Sequence, residues 1–290
     1  TNMYAIVFHA HQTLNKIAYA KMRRELSGGA WFPPLASILH FEGQRGPDST
    51  KFKNAATVKQ PWHFINPLNQ SDTQLAQTVG RHYKNLVTAL LAKDDVKASF
   101  EAAWLAHAVV DGLTPAHHYP YETALTEIRG DADYNNRTST LKRITAPGEN
   151  MYGTLAQSLR LVGPKGLLTT HTTFEAGAYI LLKIRRSRRR LSKKSLRQAE
   201  TLKKLGAQQF FLEEARRVAA WNLYDEFLRL GWTPRLARKV SHRLLPTMSN
   251  DVALIWLAAA HEACALGLAD LDGTLRADGP AEIDAVLFDN

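Results

Sequence analysis

Between Asp72 and Lys93 the apolar side chains return at Leu75, Val79, Tyr83, Leu86, Leu90 and Leu91. A step of about 3.6 residues lines these up as one face only if the backbone is helical. Similar spacing predicts helices over 10–26, 97–110, 151–162, 170–184, 194–230, 234–243 and 250–268, and few stretches alternate as a half-buried strand does. The expected fold is therefore all-α, a single domain over residues 1–271 followed by a tail over 272–290 with little regular structure. A chain of 290 residues can bury a substantial core. Loops are expected over 27–70 and 112–150. The second is long for a structureless connection, which makes it a candidate wall or lid.

Charge is distributed unevenly. The formal net charge is +10, yet Lys183 to Lys204 holds eleven cations and one acid, Glu200, and the remainder balances. With Ile184, Leu191, Leu196 and Leu202 set among those cations, the segment 183–204 suits an anionic membrane surface or nucleic-acid phosphates. No apolar run is expected to reach the length of a membrane span, and no intact signal peptide is visible after Thr1. Cys264 is the one cysteine. Its apolar helical context predicts a buried structural thiol, and any metal has to be held by histidine and carboxylate.

The richest cluster of such groups is HAVVDGLTPAHH, residues 107–118. Four residues apart on a helix, His107 and Asp111 project from the same face. Gly112 and Pro115 are expected to end that helix, so that a turn brings His117 back beside it. A second i, i+4 pair, His171 and Glu175, opens a later helix. Upstream stand His63 in PWHFIN, Asp48 in RGPD, and His9 and His11 in FHAHQ. His82 is expected to be solvated on a helical face of its own. Imidazole with carboxylate is the set that zinc accepts without cysteine.

In this order the motifs resemble those of the zinc-dependent phospholipases C and the fungal single-strand-specific nucleases, an all-α family that holds three zinc ions in a cleft. The resemblance spans residues 9–175 through short motifs. It implies that His107, Asp111, His63 and Asp48 serve a first zinc, and that His117, His171 and Glu175 serve a second. His11 would serve a third zinc, with Asp111 shared. His118 is a rival to His117, and Glu122 to Glu175. Where the family has a terminal tryptophan on the third zinc this chain has Thr1, so either His9 substitutes, or the third site is weak, or residue 1 is not the native terminus. The longer gap from His117 to His171 implies an insertion over the site.

The chemistry implied is phosphodiester hydrolysis, with two to three zinc ions acidifying a water and offsetting charge at phosphorus. Asp48 is then the candidate catalytic residue, orienting or deprotonating that water. The expected substrate is a phospholipid. The alternatives are single-stranded nucleic acid and a non-catalytic membrane-binding scaffold. Trp31, Phe32, Trp62, Phe64, Tyr119 and Tyr121 are the aromatics close enough in sequence to line a cleft for either substrate. The resemblance also allows a secreted mature form.

Overall fold

The structure is a computed structural model that describes residues 3–26, 29–43, 46–48, 63–129, 145–184 and 190–271. Within these ranges it omits the side chains of 3–9, 122, 193, 194 and 269–271. The elements are all helical, and there is no strand among the described residues. In chain order they are α1 (Met3–Glu25), α2 (Leu35–Glu42), α3 (Gln74–Leu91), α4 (Asp95–Gly112), a 3-10 turn (Pro115–His118), α5 (Tyr121–Arg129), α6 (Met151–Val162) and α7 (Leu167–Ile184). They continue with α8 (Lys193–Leu205), α9 (Ala207–Ala219), α10 (Leu223–Leu230), α11 (Pro234–Lys239), a π turn (Val240–Leu244) and α12 (Leu245–Leu271).

Helix α4 is the axis of the fold. Asp94 caps its start by accepting from the Lys97 amide. Ala98, Ala102, Ala103, Ala106 and Ala108 keep its surface narrow, so that it can be buried nearly all round. Helices α2, α3 and α12 pack against it. Trp256 of α12 is fully buried and donates its indole N–H to the Ala102 carbonyl at 3.0 Å. Because α4 lies so deep, its polar residues need internal partners. Glu101 takes His82 of α3 (2.6 Å) and Asn85 (3.1 Å), and His107 and Asp111 turn elsewhere.

Several expectations change here. The 27–70 loop contains α2, and 112–150 contains the 3-10 turn and α5. The 194–230 helix breaks into three where Gly206 (φ 78°) and Asn222 (φ 50°) adopt left-handed backbone that the helix cannot continue. The two helices expected at 234–243 and 250–268 join through the π turn. Over Pro234–Leu268 the joined helix is long and apolar enough to cross a membrane by length and composition, against expectation. More than half of its most apolar window is buried in the core. His82 is buried rather than solvated, and Cys264 is half-buried rather than buried. With Pro115 opening the 3-10 turn beyond it, α4 ends as expected at Gly112. A Cβ at that position would lie 2.2 Å from the Phe211 ring, so glycine permits α9 to approach. The tail, 272–290, lies outside the described residues.

The basic segment divides. Leu191 and Leu202 are buried in the core, and α8 packs on α9 and α12, which removes these leucines from any outward face. Ile184 and Leu196 remain exposed, and residues 185–189 lie outside the described residues.

Candidate metal centre

Five parts of the chain converge beside the C-terminal half of α4. Helix α1 brings His11, and the short stretch 46–48 brings Asp48. The extended segment after residue 62 brings His63, the 3-10 turn brings His117, and α7 brings His171 and Glu175. The described residues form three groups that could hold a metal ion: His11, His107 and Asp111; Asp48, His63 and His107; His117, His171 and Glu175. All eight residues singled out from the sequence are in these groups.

Asp111 stands at the junction. Its Oδ2 lies 2.5 Å from His63 Nδ1 and 3.1 Å from His107 Nε2. Its Oδ1 faces His11 Nε2 at 3.4 Å and His117 Nδ1 at 3.5 Å. One carboxylate therefore addresses all three groups with two oxygens. Asp48 Oδ1 is 3.9 Å from His107 Nε2 and is the most exposed carboxylate at this end of the site. His117 Nε2 is 3.0 Å from Glu175 Oε1, with His171 Nε2 at 3.3 Å from the same oxygen. The His117 and His171 rings stack at 5.1 Å, and those of His11 and His107 at 4.1 Å.

Hydrogen bonds on the outer ring nitrogens orient two of these imidazoles. His107 Nδ1 is 2.8 Å from Glu42 Oε1, and His117 Nδ1 is 2.9 Å from the His63 carbonyl. A neutral imidazole that donates from Nδ1 carries its lone pair on Nε2. Both Nε2 atoms face the centre. Glu42, the last residue of α2, is 2% exposed and was not singled out from the sequence. Asn15 donates to its other oxygen at 3.3 Å. No motif marks Glu42; the one local clue is a carboxylate in an otherwise apolar, aromatic run, LASILHFE.

His118 is turned away. Its Nε2 donates to the Gly112 carbonyl at 2.8 Å, and burial pushes its imidazolium down to about 4. It belongs to none of the groups. The side chains of His9 and Glu122 lie outside the described residues, as does Trp62. Among the other aromatics, Phe32 packs in the core against Trp256. Trp31 and Tyr119 pack against that core, partly buried. Phe64 and Tyr121 stand at the site: their rings stack at 5.2 Å, and both tilt toward His171. The segment after Gly112 thus supplies one wall through Tyr121.

The electrostatics require positive charge at this centre. Each ion pair that Glu42, Asp111 and Glu175 make is to an imidazole, with no lysine or arginine among the described residues. Burial disfavours a charged His107, but Asp111, Glu42 and Asp48 overcome it and raise its proton affinity well above that of ordinary imidazole. Burial would also raise Asp111, yet His107, His117 and His63 hold it well below the usual carboxylate range. Glu175 is likewise held far down against burial, by His171 and His117. Buried carboxylates need either protons on these rings or cations between them. His171 presents Nε2 to Glu175, and its outer Nδ1 is buried without a hydrogen-bond partner, so it lacks the outer bond that orients His107 and His117. Oxygen and imidazole nitrogen in this ratio form a donor set for a divalent transition metal.

No family model, curated protein or solved structure matches this chain.

Proposed function

We propose that the protein is a zinc-dependent phosphodiester hydrolase acting on phospholipid. The observation that carries this reading is the convergence on Asp111: one carboxylate with two oxygens facing three His/carboxylate groups, two of them with Nε2 lone pairs directed inward. Asp48, His63, His107 and Asp111 would hold a first zinc, and His117, His171 and Glu175 a second. His11 with Asp111 would hold a third. Such ions supply Lewis acidity, which offsets charge on a phosphodiester and acidifies water.

The side chains divide the remaining work. Glu42 and the His63 carbonyl fix the ring orientation of His107 and His117, as outer partners do at metal sites. Asp48, at the rim, would accept a proton from water. The preference for lipid rests on the family resemblance and the basic segment; the cavity of about 50 Å³ that His11 and Glu175 share with the buried Leu14, Val110, Phe174, Leu182 and Met248 is apolar but too small for an acyl chain. The same family resemblance leaves single-stranded nucleic acid as the second substrate, for which Phe64 and Tyr121 offer ring faces.

Metal analysis of gently purified protein is expected to give two to three zinc per chain, and fewer than two would sink the reading. Phosphatidylcholine, anionic phospholipid and single-stranded DNA are then assayed side by side. Turnover of DNA alone reverses the substrate order, and vesicle binding without turnover supports the scaffold. His107→Ala should lose zinc and activity together.

A further inference from the structure

We infer that α6 and the outer end of α7 form a membrane-docking face for anionic bilayers. Met151, Tyr152, Leu155, Leu159 and Val162 are 77%, 78%, 59%, 53% and 38% exposed. At 100° per residue they fall within an arc about 100° wide on α6. The helix is therefore amphipathic in the opposite sense to a core helix, with its apolar arc outward. It is anchored from the other side by Leu161, which is buried with Leu125, Ile128 and Ala146 in a small core separate from the main one. On α7, which packs against α6, Ile180 and Ile184 are 56% and 75% exposed. Scattered exposed apolar residues are ordinary, but a full helical stripe with neighbours on the adjoining helix marks an interaction surface.

The charge of this stretch of sequence selects the partner. From Met151 to Arg190 the sequence has eight cations, Arg160, Lys165, Lys183 and five arginines from 185 to 190, and a single acid. That acid is Glu175, which faces His117 and His171 in the metal centre. An exposed apolar arc in a stretch with an excess of cations is what an interfacial helix needs on anionic lipid, and among the described residues the exposed carboxylates beside it are Glu149, just before α6, and Glu127 on α5. Helix α6 provides the apolar arc that the basic segment does not, since Leu191 and Leu202 belong to the core. Docking does not depend on the hydrolase reading, although it would set the α7 residues of the metal centre close to lipid phosphates.

The test uses the full chain in flotation with phosphatidylcholine vesicles, with and without phosphatidylserine. The wild type is expected to bind only when phosphatidylserine is present, and less as salt rises. Leu155→Gln/Leu159→Gln replaces two exposed residues and should leave the melting temperature unchanged. Binding should weaken by about tenfold or more, because two apolar side chains no longer enter the interface. Tyr152→Trp should show a blue-shifted emission on anionic vesicles. Turnover of a soluble phosphodiester, bis(p-nitrophenyl) phosphate, is measured in parallel. Its absence would count against hydrolysis and leave the docking result standing. Docking is overturned if the double variant binds like wild type, because the basic run alone would then suffice. It is also overturned if neither vesicle binds, or if ultracentrifugation shows a dimer that the double variant abolishes.

Discussion

Replacing Glu42 by glutamine removes one negative charge from behind His107 and little else. The amide oxygen can still accept from His107 Nδ1. The new NH2 would meet the Asn15 side-chain amide, whose own oxygen is buried without a partner, so a flip of Asn15 restores donor to acceptor. What is lost is the charge-assisted part of a 2.8 Å bond between two groups almost wholly excluded from water. A hydrogen bond to a charged group contributes about 1.5–3 kcal/mol, and about 1.4 kcal/mol is tenfold in affinity. The expected loss is therefore roughly tenfold to a hundredfold in zinc affinity, in line with the effect of outer partners at other metal sites. The loss should be selective. His107 belongs to two of the groups, and among the described residues the ion pairs of Glu42 are with His11 and His107, not with the His117, His171 and Glu175 group. Competition against a fluorescent zinc chelator should show the weakest-held ions leaving early from Glu42→Gln, with the last ion held as in wild type. Affinities within twofold of wild type at every site, or equal weakening at all of them, would refute the argument.

Three further outcomes follow from other parts of the structure. His117→Ala should lose one zinc, whereas His118→Ala should keep the full complement at a small cost in stability, read by metal analysis and melting temperature. Gly112→Ala forces a Cβ into the Phe211 ring and should cost about 1–3 kcal/mol in urea unfolding, with partial recovery when Phe211→Leu is added. Asp251, buried on α12, has its carboxyl pushed up to about 7 by burial, against the pull of Arg217 and Lys21. The unfolded chain ionises at its ordinary value, near 3.8, so this residue's contribution to stability declines as pH rises from there to about 7. At 1.36 kcal/mol per pH unit the decline is up to ~4 kcal/mol. Asp251→Asn should flatten the slope of unfolding free energy across that window, and an unchanged slope would refute the assignment.

The legibility of this site follows from how its residues are spaced. His107 with Asp111 and His171 with Glu175 are each one helical turn apart, so sequence alone placed both pairs on shared faces. His11, Asp48 and His63 were legible only through their order and motif context, since nothing local ties them to α4. Glu42 escaped because its partner lies 65 residues away and no short spacing joins them. His82 was misjudged for the same reason. Its partner, Glu101, is on the next helix, and a face that looks polar in one helix is buried once α3 packs on α4. The helix boundaries that failed did so at Gly206 and Asn222, where backbone conformation outweighs the periodicity of the side chains, and at the π turn, which shifts the phase without ending the helix.

His63 serves two of the groups with different atoms. Its ring meets Asp111, while its backbone carbonyl holds the His117 ring whose far side faces Glu175. Whatever fixes residue 63 for one ion also sets the His117 ring for the next. Residue 63 thus acts as a shared strut, and a change that shifts its backbone would disturb both groups without touching any other ligand side chain.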